Sequence, residues 1–258
     1  MAFLDVNGIN INHEVLGDGF PLLLIHGLWL DKTMWEAEAI SEHFAQTNKV
    51  VVYDCRGHGN SDKPTDFTLS DHVADAFGLM DSLGFYEFNL LGVSMGSYIS
   101  QAMAISQPER IMKMVLVVPK SNGKTSSMGQ ILAENAGLLK TLDDEGKATF
   151  LNELIVHNLD SLKKHPDFLN SKLSSNETKA ATSALTNFDF RTELGKVTAK
   201  TLVISGKFDR LNPPEEGQIC AQKIPDARFH LMEYSGHAPT IEEPVTFIQL
   251  VDEFMKVG

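Results

Sequence analysis

A serine with glycine at both of its second neighbours is the clearest chemical signal in this sequence. The segment is Gly92-Val93-Ser94-Met95-Gly96, which follows an apolar run and precedes a segment of helical periodicity. On a sharp turn from strand to helix, side chains two residues before and after the serine would clash with neighbouring backbone. Such a turn exposes the hydroxyl at the positive end of the helix. We predict that Ser94 is a nucleophile; the alternative is an ordinary glycine-rich turn.

A serine hydroxyl is a weak nucleophile, so a base must take its proton. Of the nine histidines, His237 is the best placed, because it lies in a loop directly after the last predicted strand. The imidazole in turn needs an acceptor on its other nitrogen. Asp209 follows the predicted strand Thr201–Ser205, whereas the rival position, after Met114–Val118, has no carboxylate. The chain order serine, aspartate, histidine differs from that of trypsin-like and subtilisin-like proteases.

Attack on a carbonyl also requires donors for the developing oxyanion. We expect one of them to be the backbone N–H of Met95, next to the nucleophile. The second should come from the loop that follows Pro21–Ile25, with the N–H of Leu28 as first choice and that of Trp29 as the next. His26, in the same loop, is interpreted as a buried structural histidine.

The substrate pocket has weaker signals than the chemistry. Trp29 and Met128 are predicted to border it, the second because methionine fits irregular gaps. His157 and His165 are expected to be solvated. No spacing of side chains indicates a metal site, and the predicted chemistry needs no organic cofactor.

Apolar segments and helical segments alternate along most of the chain, which is typical of βαβ units and a parallel sheet. Several of the apolar runs are continuous, as in strands buried on both faces. The predicted strands are Ala2–Val6, Ile9–Leu16, Pro21–Ile25, Lys49–Tyr53, Phe88–Leu91, Met114–Val118, Thr201–Ser205 and Arg228–Glu233. The predicted helices between them are Trp35–Phe44, Leu69–Leu83, Ser97–Ser106, Pro214–Lys223 and Val245–Met255.

One stretch interrupts this alternation with helical patterns alone. Gln130–Leu142 and Asp144–Val156 return apolar residues at helical spacing, and Ser174 with Glu177 has the form of a capping box that begins a third helix. We predict a helical cap insertion over residues 121–194. The core domain would then consist of residues 1–120 and 195–258.

Taken in order, these motifs resemble the α/β-hydrolase superfamily. The resemblance rests on the His26-Gly27 turn, the segment Asp54–Ser61, the serine turn at Ser94, Asp209 and His237. It spans residues 20–245 and implies an α/β fold with an eight-stranded, mostly parallel sheet flanked by helices, with the insertion as a cap. Within the superfamily the chain looks most like small cofactor-free esterases and lactonases, including the 3-oxoadipate enol-lactonases.

The expected function is hydrolysis of a small carboxylic ester or lactone through an acyl-enzyme. Serine as nucleophile argues against dehalogenase or epoxide hydrolase chemistry, which requires an alkylated carboxylate. Carbon–carbon bond, thioester or amide hydrolysis, lyase chemistry and perhydrolysis can use the same three residues and stay open. A non-catalytic ligand receptor on this fold is a further alternative.

Composition limits the partners. The formal net charge is −12 without a basic stripe, which argues against nucleic acid. Residues 120–195 contain nine basic and ten acidic side chains, so the overall charge says little about the substrate. No apolar run is long enough to cross a membrane, no signal peptide is evident, and the two cysteines have no disulfide framework. We expect a soluble cytoplasmic protein and leave a homodimer open.

Overall fold

A single twisted sheet organises the chain. The computed structural model describes residues 2–123, 127–165, 168 and 173–256, and within them eight strands share this sheet. The strands are β1 Ala2–Val6, β2 Ile9–Leu16, β3 Phe20–Ile25, β4 Asn48–Tyr53, β5 Phe88–Val93, β6 Ile111–Val117, β7 Lys200–Gly206 and β8 Ala227–Met232. Their order in the sheet is β1-β2-β4-β3-β5-β6-β7-β8. The strand β2 runs antiparallel to both neighbours, and the pairs from β4 to β8 are parallel. The predicted eight-stranded, mostly parallel sheet is confirmed.

Helices connect the strands and cover both faces of the sheet. In the described ranges the α-helices are α1 Ile40–Phe44, α2 Leu69–Ser82, α3 Met95–Ser106, α4 Ser127–Glu134, α5 Ala136–Leu139, α6 Asp144–Ile155, α7 Leu159–Lys164, α8 Ser175–Ser183, α9 Pro214–Lys223, α10 Pro239–Glu242 and α11 Pro244–Lys256. Short 3₁₀ turns occupy Lys32–Trp35, Ala37–Ala39, Pro108–Arg110 and Leu194–Lys196. No helix in these ranges combines the length and the apolar character needed to cross a membrane.

The register of the parallel strands brings four loops to one edge of the sheet. Ile25 at the end of β3 pairs with Gly92 of β5, and Val93 pairs with Val117 of β6. Gly206 at the end of β7 pairs with Met232 of β8. Because parallel strands end at the same edge, the loops after β3, β5, β7 and β8 lie side by side.

Alternating side chains of the central strands build two apolar layers, one on each face. Leu23 and Ile25 of β3 belong to the layer shared with α2 and α3, whereas Leu22 and Leu24 belong to the layer shared with α11. All four are fully buried. Burial on both faces explains why β3 has a continuous apolar run rather than an alternating one.

The predicted helix Trp35–Phe44 is wrong as a continuous element. Glu38 and Ala39 have φ angles of 54° and 52°, so left-handed backbone separates the 3₁₀ turns from α1. Trp35 and Ile40 are both fully buried in the same apolar layer. On a continuous α-helix, residues five apart point about 140° away from each other. The break therefore returns Ile40 to the core face that Trp35 already occupies.

Within residues 121–194 the described elements are helices α4 to α8 together with one isolated bridge. That bridge joins Asn122 to Asp189. Beside it, Gly123 N–H donates to the carbonyl of Phe188 at 2.8 Å, and Phe190 N–H donates to that of Ser121 at 2.8 Å. The two ends of this helical segment therefore leave and re-enter the sheet next to each other. The helix α7 was not predicted from the sequence.

Candidate active site

Ser94 lies on a strained turn between β5 and α3. Its φ and ψ are 52° and −111°, a combination that non-glycine residues rarely adopt. A Cβ on Gly92 would overlap the carbonyl oxygen of Gly96, and a Cβ on Gly96 would overlap that of Ile25. The two glycines therefore allow helix, strand and turn to approach closely enough to lift the Ser94 hydroxyl off the sheet edge.

The loop after β8 brings His237 to the serine. The His237 Nε2 lies 2.9 Å from the Oγ of Ser94, and its Nδ1 lies 2.7 Å from the Oδ2 of Asp209. Residues separated by 143 and 28 positions in the chain thus form one hydrogen-bonded row. A carboxylate can only accept, so Nδ1 carries the proton and Nε2 is left as the acceptor for the serine hydroxyl.

The second oxygen of Asp209 holds the carboxylate in orientation. The buried Oδ1 accepts the backbone N–H of Leu211 at 2.8 Å and that of Asn212 at 2.9 Å. Both oxygens are therefore satisfied, one by the loop after β7 and one by the imidazole. This arrangement keeps the ring of His237 in the tautomer that can receive the serine proton.

Asn212 and Tyr98, which were not predicted from the sequence, hold this loop in place. The buried Nδ2 of Asn212 donates to the Tyr98 hydroxyl and to the carbonyl of Val118, at 2.7 Å each. Val118 itself has a positive φ of 46°, which is rare for a β-branched residue. Burial raises the pKa of Tyr98, so its hydroxyl stays neutral. The available signals were the position of Asn212 three residues after Asp209 and that of Tyr98 one helical turn after Ser94.

The predicted oxyanion donors lie in the loop after β3 and at the start of α3. Among the described residues, the backbone N–H groups of Leu28 and Met95 donate to no protein acceptor, and Met95 is the first residue of α3. His26 supports this loop: its Nδ1 donates to the carbonyl of Gly27 at 2.8 Å, and its Nε2 accepts the N–H of Cys55 at 2.9 Å. Burial lowers the pKa of His26, and the neutral ring makes both bonds. His26 contacts backbone groups and the ring of His58 rather than the Ser94–His237–Asp209 row.

Of the two pocket residues predicted from the sequence, the structure describes the side chain of Trp29 only. Trp29 is partly buried and has a positive φ of 67°. Its indole N–H is buried and bonds to no other described group. The side chain of Met128 lies outside the described residues.

Other candidate nucleophiles and ligands are set apart from this site. Cys55 and Cys220 are both buried and unbonded to each other, and burial raises the pKa of both thiols, so neither supplies a thiolate. In the part of the chain that the structure describes, no three His, Cys, Asp or Glu side chains are grouped to hold a metal ion.

Comparison with known proteins gives the same fold over nearly the whole chain. A family profile described as alpha/beta hydrolase fold matches residues 21–244. The 2-hydroxymuconate semialdehyde hydrolase of Pseudomonas putida is 29% identical over 258 aligned residues, which cover 96% of this chain and 91% of that protein.

Solved structures agree with this result. A thermophilic esterase from Thermogutta terrifontis superposes with a TM-score of 0.81 at 27% identity, covering 99% of this chain and 97% of the esterase. The enol-lactonase from Burkholderia xenovorans LB400 superposes with a TM-score of 0.83 over 98% of this chain and 99% of its own. At 24% identity, this superposition shows a shared fold and nothing further.

Proposed function

We propose that this chain, which belongs to the α/β-hydrolase family, is a serine hydrolase that cleaves a small carboxylic ester or lactone. In this proposal Ser94 is the nucleophile, His237 the general base and acid, and Asp209 the residue that orients and stabilises the imidazolium. The observation that carries the proposal is the unbroken row of hydrogen bonds, 2.9 Å from serine to histidine and 2.7 Å from histidine to aspartate.

The reaction follows from this row. The Oγ of Ser94 attacks the carbonyl carbon while Nε2 of His237 takes the hydroxyl proton, and the carbonyl electrons move to the oxygen. The N–H groups of Leu28 and Met95 are the proposed donors to that oxyanion. Collapse of the tetrahedral intermediate breaks the bond to the alcohol oxygen, which receives the proton from His237. Water, deprotonated by the same imidazole, then attacks the acyl-enzyme and releases the acid and Ser94.

We further propose that residues 121–194 form a cap that selects the substrate, above a core of residues 1–120 and 195–258. The paired ends of this helical segment support the division. In this arrangement Trp29, the residue after the donor Leu28, borders the pocket. The thermophilic esterase at 27% identity supports an ester as the substrate class.

Covalent labelling tests the proposal directly. We expect a fluorophosphonate probe to label the protein at one site, identified as Ser94 by peptide mass spectrometry, together with turnover of p-nitrophenyl butyrate. Ser94→Ala should abolish both labelling and acyl-enzyme turnover. Ser106→Ala, which removes a hydroxyl at the far end of α3, should retain both. Unlabelled wild-type protein that binds but does not turn over esters would instead indicate a ligand receptor.

One observation favours a second candidate, carbon–carbon bond hydrolysis. The 29% identical relative acts on 2-hydroxymuconate semialdehyde, a substrate without an ester or amide, so its hydrolysis breaks a carbon–carbon bond. The same row of residues can serve both reactions. Comparing kcat/KM for p-nitrophenyl esters, simple lactones and 2-hydroxymuconate semialdehyde separates the candidates. A preference of more than about a hundredfold for the semialdehyde, about 2.7 kcal/mol of transition-state binding, would favour the second.

A further inference from the structure

The loop that carries His237 is held from outside the sheet. Its backbone contacts residues 155–158, the docked segment, which joins α6 to α7. The N–H of His237 donates to the carbonyl of Ile155 at 2.6 Å. A Cβ on Gly236 would lie 2.9 Å from that carbonyl oxygen and 2.9 Å from the backbone nitrogen of His157. The docked segment can approach the loop this closely because residue 236 has no side chain.

A single carboxylate joins the two pieces of backbone. The Oε1 of Glu242, at the end of α10, accepts the N–H of His157 at 2.6 Å and that of Asn158 at 3.1 Å. Its Oε2 accepts the N–H of Gly236 at 2.7 Å. Burial raises the pKa of Glu242 while these three donors oppose the change. Both oxygens are engaged, so the full set of bonds requires an ionised carboxylate rather than an amide.

Two further contacts extend this connection to the aspartate loop. The imidazole of His157 stacks on the ring of Phe208, with centroids 3.7 Å apart and an interplanar angle of 10°. Phe208 directly precedes Asp209 in the loop after β7. The buried side chains of Val156, Ala238 and Ile241 form one apolar cluster, which joins the docked segment to the residues that follow His237. The docked segment therefore contacts the loops of both His237 and Asp209.

We propose that Glu242 is a positioning residue for His237: it holds the docked segment against the histidine loop and so keeps the imidazole within reach of Ser94. The inference rests on the proposed serine hydrolase function. Glu242 bonds backbone groups and is absent from the hydrogen-bonded row itself. Ser94 is the first residue after β5 and Asp209 the third after β7, whereas His237 is the fifth after β8, and the amides of Gly236 and His237 both bond to groups outside the sheet. The position of His237 therefore depends on this attachment more strongly than the positions of Ser94 and Asp209 do.

Replacing Glu242 by glutamine tests the inference with almost no change of shape. The amide keeps one acceptor oxygen, and its NH₂ then faces an N–H donor in place of the second oxygen. We expect Glu242→Gln to be labelled by a fluorophosphonate to full stoichiometry. Its labelling rate and its kcat for p-nitrophenyl butyrate, per titrated site, should each fall about tenfold, with a smaller change in KM. Glu153→Gln, the same change on the exposed face of α6, should react at the wild-type rate.

The outcomes separate the two proposals. A Glu242→Gln variant with a lowered melting temperature but the wild-type labelling rate per folded molecule would reduce Glu242 to a purely structural residue and overturn the inference. Wild-type protein that the probe fails to label would overturn the serine hydrolase function instead. If Glu242→Gln does not fold, Gly236→Ala, whose methyl group displaces the docked segment, should show the same slowing. An unchanged labelling rate in that variant would also overturn the inference.

Discussion

Replacing Asp209 by asparagine would move the imidazole proton of His237 from Nδ1 to Nε2. The shape of each side chain in the row of Ser94, His237 and Asp209 would stay the same. In the native protein Oδ1 accepts two backbone N–H groups, from Leu211 and Asn212, and Oδ2 accepts Nδ1–H of His237. The asparagine must choose which of these positions its oxygen occupies. The structure determines that choice.

Two donors on one side fix the orientation of the amide. If the NH₂ group faced Leu211 and Asn212, two backbone N–H groups would lose their acceptor, at a cost of about 1–3 kcal/mol each. The oxygen therefore stays with them, and the NH₂ donates to Nδ1 of His237. The imidazole proton then moves to Nε2, which faces Ser94 as a donor and can no longer take its proton. In a serine protease the same tautomer error lowers kcat about 10⁴-fold, or about 5.4 kcal/mol.

We expect a loss of this size in kcat for p-nitrophenyl butyrate, with little change in KM, because the row acts on the transition state. The assay is steady-state hydrolysis at pH 7.5 with the buffer rate subtracted, alongside Asp160→Asn as a control on the exposed surface of α7. The melting temperature should stay close to that of the wild type. An Asp209→Asn variant within tenfold of the wild-type kcat would refute the reasoning, since another group would then be orienting His237.

Two predictions concern stability. Gly96→Ala places a methyl group against the backbone oxygen of Ile25, so we expect urea denaturation to show a free energy of unfolding lowered by about 1–3 kcal/mol or more. The control Gly137→Ala, in open space on α5, should raise the free energy of unfolding by up to about 1 kcal/mol. Burial lowers the pKa of His58 to about 3 and also lowers that of His72, so the unfolded chain binds more protons than the native one below pH 6.5. Above that pH these two histidines should contribute no pH dependence to the free energy of unfolding. Below it, each should lower that free energy by up to about 1.4 kcal/mol per pH unit, and the contribution of His58 should level off near pH 3. His58→Asn, which keeps the bond to the carbonyl of Arg56, should flatten this slope; an unchanged slope would assign the acid sensitivity to other groups.

Local chemistry was sufficient to predict the sheet and the residues of the candidate site. Buried parallel strands need continuous apolar runs, and their alternation with helical segments indicated the confirmed α/β-hydrolase fold. The turn at Ser94 has its own steric signature, because Gly92 and Gly96 leave no room for a Cβ. Asp209 and His237 are predicted site residues because they lie just after predicted strands, where loops of an α/β sheet converge. Each of these signals lies within a few residues along the chain.

Contacts between distant segments could not be predicted in this way. The break at Glu38 and Ala39 arises from the need to bury Trp35 and Ile40 in one layer, a requirement set by the sheet beneath them. The bonds from Asn212 and Glu242 join elements far apart in sequence, and no periodicity marks an asparagine or a glutamate for such contacts. The chain alone thus determines which residues have the right chemistry. The packing of helices on the sheet decides which of them come within hydrogen-bond distance, because that distance depends on the register and close approach of segments that local patterns describe only one at a time.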